Sequence, residues 1–528
     1  MWWRDAVIYQ IYVRSFFDTN GDGIGDLPGV TAKLGYLQEL GVTALWLSPT
    51  GTSPNHDWGY DVADYLGVDP SLGTAADMTQ LIAEAKACGI RIVLDLVPNH
   101  TSTEHPWFKA ARSSKTDPHR DWYIWSDGKP GGGKPNNWRS MFGGSAWQLD
   151  RTTGQYYLHN FLPQQADLNW ANPAVQVEFQ HILKYWFDRG VAGFRIDVVN
   201  MLAKDPARRD NPAVVHAATL GIRLLGQEQI YSGNGTAVHA ILRDWRRLAD
   251  GYREPRLLVG ETMIYRPQDM AAYYGHNDEL QLGFNFPFWQ SKLKAHALRR
   301  VVAETEASLP TGAWPAWVTS NHDISRAGSR WARGSLVKIR LILLMLFTLR
   351  GTPVLYYGDE LGLTDTRVSR RQYRDQIGKV FWPLFPGRDK ERTPMVWNDS
   401  KTAGFTAQYK ARPWLPIGAR ERNVDDQQRD PASTLRLTRR LITLRRNDDD
   451  MRLGAYHELP SPHNVWAYQR GDRTLVVLNM SRHAASFNSA KAQRLLSTMP
   501  GSPTSLSAAS QIWELAPWEG VILKLLPD

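Results

Sequence analysis

Short apolar, β-branched runs alternate with longer amphipathic segments along most of the chain. The runs at 6–13, 44–49, 91–98, 193–197, 256–261, 280–286, 316–323 and 352–360 predict eight strands. Helix-period patterns at 29–40, 74–88, 173–189, 236–249, 289–307 and 334–349 follow most of them. Gly41, Gly89, Gly190 and Gly351 stand just before strands, where a helix end hands over to the next element. Strands alternating with helices imply parallel βαβ units, and eight of them imply a closed α/β barrel, (β/α)8, rather than an open sheet.

Two segments break this rhythm. About 70 residues rich in Trp, Pro, Gly and Asn separate the third strand from the helix near Pro173. A structureless loop of that length does not suit a compact domain, so an inserted subdomain is predicted over 101–170. Its KPGGGK stretch (129–134) continues with Pro135 where a phosphate-binding loop needs Ser or Thr, and reads as a surface loop. After a helix at 433–446, short alternating runs at 464–470, 474–480 and 520–525 predict a C-terminal antiparallel β-sandwich. The expected division is a catalytic barrel over 1–100 and 171–450, the insertion over 101–170, and the C-terminal unit over 451–528.

Composition narrows the function classes. Hydrophobic residues make up 42% and charged residues 22% of 528, which is globular usage. One cysteine, Cys88, rules out an intrachain disulfide scaffold. The apolar stretch 341–349 is too short to span a bilayer, and the N-terminus shows no secretory pattern, so a soluble, cytoplasmic protein without a membrane partner is expected. Net charge is +9, but the basic residues are spread out, and Arg436, Arg439, Arg440, Arg445 and Arg446 fit a solvated helix face; no nucleic-acid partner is expected. The 22 tryptophans are a surplus, and flat aromatic faces suit the C–H surfaces of sugar rings.

Acidic and histidine residues gather at the predicted C-terminal strand ends: Asp95 and His100, Arg195 and Asp197, Glu261, His322 and Asp323. A barrel carries its site on that face. Several carboxylates without a metal cluster suit glycosidic bond cleavage, in which one attacks or stabilises a cationic sugar carbon and another donates a proton to the leaving oxygen. Arg195 lies two residues before Asp197, on the same strand face, and is expected to hold it ionised as a nucleophile. Glu261 follows Leu257-Leu258-Val259, where desolvation favours a general acid. His100, Glu104 and His105 lack the HExxH spacing of a catalytic zinc site.

The blocks DLVPNH (95–100), GFRID (193–197), VGE (259–261) and SNHD (320–323), with GYDVADY (59–65), QADLNW (165–170) and RTPMVW (392–397), resemble the α-amylase family of glycoside hydrolases, and within it the oligo-1,6-glucosidase and α-glucosidase group. The resemblance implies Asp197 as nucleophile, Glu261 as acid/base and Asp323 as the third carboxylate. It further implies Tyr60 stacking on the sugar, His100, His322 and Phe161 around it, Arg195 supporting the nucleophile, and Asp61 with Arg392 closing the pocket behind one glucose. The expected activity is exo-acting hydrolysis of short α-glucosides by a monomer or small homo-oligomer, with no organic cofactor. Transfer of glucose to a sugar or alcohol acceptor is the enzymatic alternative; a non-catalytic scaffold relative would have lost the nucleophile or acid, whereas all three carboxylates are present, and a sugar-binding protein would not need Arg195 beneath Asp197. Val198 after the nucleophile resembles members acting on α-1,6 links.

Residues 18–26 (DTNGDGIGD) place oxygen donors at alternate positions, without the Glu that closes an EF-hand loop. Asp18, Asn20, Asp22 and Asp26 with the Ile24 carbonyl form a candidate hard-cation site. The similar loop in the resembled group implies a structural Ca2+ or Mg2+, and a metal-free turn held by Asx hydrogen bonds is the alternative.

Overall fold

The computed structural model describes residues 1–214, 226–408, 410–500 and 510–527. All eight barrel strands form, each shorter than its apolar run: β1 (Ile8–Ile11), β2 (Ala44–Leu47), β3 (Arg91–Leu96), β4 (Gly193–Ile196), β5 (Leu257–Gly260), β6 (Leu282–Gly283), β7 (Ala316–Val318) and β8 (Thr352–Tyr356). Every pairing is parallel, in the order β6-β5-β4-β3-β2-β1-β8-β7. A parallel bridge from Phe284 to Ala316 joins the two ends of this order and closes the ring.

The two-residue period of a strand sorts the side chains. Ile8, Ala44, Trp46, Val93, Val259, Ala316, Val318 and Val354 pack together inside the barrel. Tyr9, Ile11, Leu45, Leu47, Ile92, Leu94 and Leu355, at the alternate positions, join the outer core with the helices. Continuing the inward series up three neighbouring strands leads from Val93 to Asp95, from Gly193 to Arg195 and Asp197, and from Val259 to Glu261. The register sets Arg195 beside both Asp95 and Val259, so Asp197 and Glu261 stand one step higher at the C-terminal rim.

The pattern at 29–40 resolves into two helices, Leu27–Ala32 and Leu34–Leu40, interrupted at Lys33. Gly29, Thr31 and Gly35 weaken a continuous helix there. Gly41 ends the second helix at φ 92°, with its N–H on the carbonyls of Leu37 and Gln38, a left-handed cap that glycine adopts without strain. The apolar helix Leu336–Thr348 is buried on nearly every side, because it packs against both the helix Thr434–Asn447 and the C-terminal sheet. No helix among the described residues is long and apolar enough to cross a membrane.

Between β3 and the helix Pro173–Asp188 the chain carries its own small elements. A two-stranded pairing joins His100–Ser102 to Gln165–Asp167, and a three-stranded sheet is built from Trp125–Ser126, Trp147–Leu149 and Tyr156–Leu158. The loop after β4 docks on this stretch: Asn137 and Asn211 exchange reciprocal 2.8 Å hydrogen bonds, and Trp138 donates to the Arg209 carbonyl at 2.8 Å.

The C-terminal antiparallel unit contains six strands, three more than the alternation shows: β9 (Tyr456–Leu459), β10 (Val465–Arg470), β11 (Thr474–Asn479), β12 (Ala485–Ser497), β13 (Ser510–Leu515) and β14 (Gly520–Leu525). They are hydrogen-bonded as one sheet in the order β9-β10-β11-β14-β12-β13, and β12 shifts register twice. One face holds its own cluster around Val465, Val477, Phe487 and Trp513, while Trp466, Tyr468, Val476 and Ile522 on the other join the barrel core. Arg445 departs from the expected solvated helix face. It is buried at this junction, donating to the carbonyls of Phe347 at 2.9 Å and Leu349 at 3.1 Å, both left without helical partners at a helix end.

Candidate active site

At the C-terminal rim a single guanidinium organises the carboxylates. Arg195 is fully buried; its Nη1 lies 2.8 Å from Asp95 Oδ1 and 2.8 Å from Asp197 Oδ1, and its Nη2 lies 2.7 Å from Glu261 Oε2. Trp46 and Tyr60 also donate to Asp95 Oδ2, at 3.2 and 3.0 Å. Val198, just after Asp197, takes φ 37°, a left-handed conformation that costs energy for a β-branched residue. It aims its N–H at Glu261 Oε2, 3.4 Å away.

Burial pushes both Asp197 and Glu261 above the ordinary carboxylate range, opposed by Arg195. Asp95 is pushed up to about 6 by the same burial, again opposed by Arg195. One positive charge facing three carboxylates leaves excess negative charge in a buried site, which favours retention of a proton by the Asp197–Glu261 pair. Arg195 favours the ionised form of Asp197, as expected, but its charge is divided among three acids and burial works against it. A pair that holds one proton supplies one base and one acid.

Asp323 behaves differently. Burial raises it, but the guanidiniums of Arg388 and Arg392 outweigh that and hold it well below the ordinary range. Its Oδ1 receives Arg388 Nη1 at 3.0 Å and Arg392 Nη2 at 2.7 Å. Arg388 also reaches Asp57 Oδ1 at 2.8 Å and Asp375 Oδ1 at 2.8 Å.

These groups surround a cavity of about 240 Å³. That lies below the roughly 300–1,000 Å³ of drug-sized sites and suits one sugar ring. Asp197, Glu261, Asp323, Tyr60, His100 and Phe161 face it. Tyr60 lies flat on His322, with ring centroids 5.3 Å apart and planes 2° apart. His100 is spoken for on both ring nitrogens, by Asn99 at 3.1 Å and by the Tyr60 carbonyl at 2.9 Å, and burial lowers it to about 4, so it is neutral.

Three expected positions fall elsewhere. Asp61 is 0% exposed and ties down its own loop, accepting from Ser53 Oγ at 2.7 Å and from the N–H groups of His56 and Asp57 at 2.9 and 3.0 Å. Arg392, also 0% exposed, stands behind Asp323 and donates to the His322 carbonyl at 2.7 Å. His322 sits one layer back, between Gln10 at 2.7 Å and Asp323 at 3.1 Å, and is neutral because burial lowers it. Arg195 lies beneath the carboxylates, in the supporting place expected of it. The groups that close the cavity are Asp57 and Arg388, which sequence reasoning missed. Asp57 stands in the same loop as Tyr60, at a barrel strand's C-terminal side, and that placement was the available signal. Arg388 lies far along the chain in an irregular segment, and only the fold brings it here.

In the N-terminal loop, Asp18 accepts from the N–H groups of Gly21 and Gly23 at 2.7 and 2.9 Å, Asn20 from Asp22 at 2.9 Å, and Asp22 from Ile24 at 2.8 Å. Asp26 caps the helix Leu27–Ala32 through Gly29 at 2.7 Å and accepts from Thr19 at 3.0 and 2.8 Å. The loop is thus folded by its own Asx turns. Among the described residues no three His, Cys, Asp or Glu side chains are grouped to hold a metal. The donors are all oxygens, each with a further lone pair, which suits a hard cation.

Residues 10–454 match the α-amylase catalytic-domain model. The chain belongs to the α-amylase family of glycoside hydrolases. It is similar to a probable α-glucosidase of Rhizobium meliloti (strain 1021), 41% identical over 503 residues, 92% of this chain and 90% of that one. It is 37% identical over 575 aligned positions to an oligo-1,6-glucosidase of Parageobacillus thermoglucosidasius, covering 99% of each. Among solved structures, an α-glucosyl transfer enzyme, XgtA, superposes with a TM-score of 0.93 at 37% identity over 99% of both chains. This membership agrees with the barrel, the C-terminal sheet and the carboxylate rim of this α-amylase family member.

Proposed function

We propose that the protein is a retaining α-glucosidase that removes single glucosyl units from the non-reducing ends of short α-glucosides. The observation that carries this reading is the cavity's closed end, where Arg388 binds both Asp323 and Asp57 and leaves room for one ring. Asp197 attacks the anomeric carbon while Glu261 gives its proton to the glycosidic oxygen. The C1–O bond breaks, leaving a β-glucosyl ester on Asp197. Glu261, now ionised, takes a proton from water as its oxygen attacks C1, and Asp197 leaves. Retention fits two carboxylates that share one guanidinium, since retaining pairs stand about 5–5.5 Å apart and inverting pairs about 6.5–9.5 Å. Asp323 and Arg388 hold the ring hydroxyls, and Tyr60 and Phe161 pack on its faces.

The test is product release from maltose, isomaltose, sucrose, trehalose and soluble starch. Glucose is expected from the start, with kcat/KM on short substrates far above that on starch; rapid mid-chain cleavage of starch contradicts a closed pocket. Asp57→Asn, which keeps the shape but loses the charge facing Arg388, is expected to raise KM about tenfold on the preferred disaccharide. Transfer of glucose to an acceptor is a second reading, favoured by the apolar wall of Met263, Tyr265, Phe286 and Trp289 beside the catalytic pair and by the likeness to a glucosyl transfer enzyme. Products larger than the substrate mark that route.

The proposal includes a structural Ca2+ or Mg2+ on Asp18, Asn20, Asp22, Asp26 and the Ile24 carbonyl, outside the reaction. Chelation is expected to lower the unfolding midpoint and saturating Ca2+ to restore it. A ligand at a hundred times its Kd stabilises by about 2.7 kcal/mol, which for a chain of this size is a shift of a few degrees. An unchanged midpoint contradicts occupancy of the loop.

A further inference from the structure

The small cavity opens into a second, larger groove of about 930 Å³, which shares Met141, Tyr265, Trp289 and Asp323 with it and runs outward to Trp518 in the turn between β13 and β14. The sugar ring that is cleaved off fills the closed end, so whatever is attached to it, or later accepts it, extends into this groove. Its charge is one-sided. Lys292, Lys294, Arg333 and Lys338 line it, and among the described residues no carboxylate pairs with any of them; Lys338 lies over the Trp518 ring at 4.4 Å. The two acids in the wall do not offset them. Asp323 is already bound by two arginines, and Glu391 is almost fully buried, so its carboxyl does not face the groove's solvent, and burial pushes it above the ordinary range. Two further cations are committed: Lys390 pairs with Asp365 at 3.2 Å, and Arg330 donates to the carbonyls of Ser325 at 3.3 Å and Thr319 at 2.7 Å. The even spread of charge along the sequence thus hides a local concentration beside the site. A concave surface of one sign focuses its field and raises the local concentration of opposite charge.

We propose that this groove selects a leaving or acceptor group that carries an anion, a carboxylate or a phosphate. The inference rests on the α-glucosidase reading of the adjoining pocket. The neutral glucosyl ring enters the closed end, and the anionic end of the substrate meets the four unpaired cations, with the aromatic walls of Trp289, Trp331 and Trp518 packing on the connecting portion.

The experiment compares substrates that differ only in charge on that side. Maltobionate against maltitol tests a carboxylate, and maltose phosphorylated on its reducing glucose against maltose tests a phosphate; the α-1,6-linked counterparts form a parallel series. At low salt, kcat/KM for at least one anionic member is expected to exceed its neutral partner by about tenfold, and the ratio to shrink in 0.5 M salt as the charges are screened. Which pair shows the larger ratio separates carboxylate from phosphate. The double variant Lys292→Glu, Lys294→Glu and the single variant Arg333→Glu are expected to bring that ratio towards one, while heat denaturation midpoints show that they fold. Cleavage of both members of every pair at equal kcat/KM overturns the inference and leaves the pocket reading standing. Cleavage of none of them overturns the α-glucosidase reading and the inference with it.

Discussion

Asp197→Asn is expected to lower kcat by about four orders of magnitude or more while substrate binding stays within a few fold. The amide keeps the shape of the side chain and its place beside Arg195, 2.8 Å away, but it is a poor nucleophile and cannot form the ester. The loss should be nearly independent of the leaving group, because every substrate must pass through the same bond. Asp197→Gly removes the side chain altogether, and a small external nucleophile such as azide then has access to the vacated face. It should restore part of the activity and yield the β-glucosyl azide. An Asp197→Asn enzyme that keeps more than about a tenth of the original kcat, after contamination and deamidation are excluded, places the bond-breaking step on another residue.

Glu261→Gln is expected to separate substrates by their leaving groups. A disaccharide needs a proton on its glycosidic oxygen, so its kcat/KM should fall by about 10²–10⁴. α-Glucosyl fluoride needs little such help and should lose far less. The pH profile carries a second signature. Burial raises the acid form of Glu261, so activity in the parent enzyme falls as pH rises through that group's ionisation, and the Gln variant should lose this alkaline limb. Equal losses on all substrates with an unchanged pH profile contradict the acid role.

The alternation of short apolar runs with helical segments made the barrel legible, because its strands are buried on both faces. The same logic made Arg195, Asp197 and Glu261 legible, since each continues an inward series past a strand's apolar end. Legibility failed where position depends on the fold's return path. Asp61 and Asp57 lie four residues apart in one loop, and only hydrogen bonding decides which is consumed by the loop and which faces the cavity. Arg388 and Arg392 pose the same choice, and the first reaches Asp57 from more than 300 residues away. The missed C-terminal strands have a similar cause: β9, β12 and β13 are edge or bent strands with many exposed positions, so no apolar alternation announces them. For Arg195 the spacing shows one arginine near one aspartate but not the three acids that share it.

The central claim, a covalent glucosyl ester on Asp197, is tested most directly by trapping it. The Glu261→Gln enzyme, mixed with α-glucosyl fluoride, quenched in acid and digested, should yield a peptide containing Asp197 that carries one glucosyl unit, and Asp197→Asn introduced into the same variant should abolish that adduct. Turnover of the fluoride with no adduct on this peptide, or an adduct on a different carboxylate, would contradict the account.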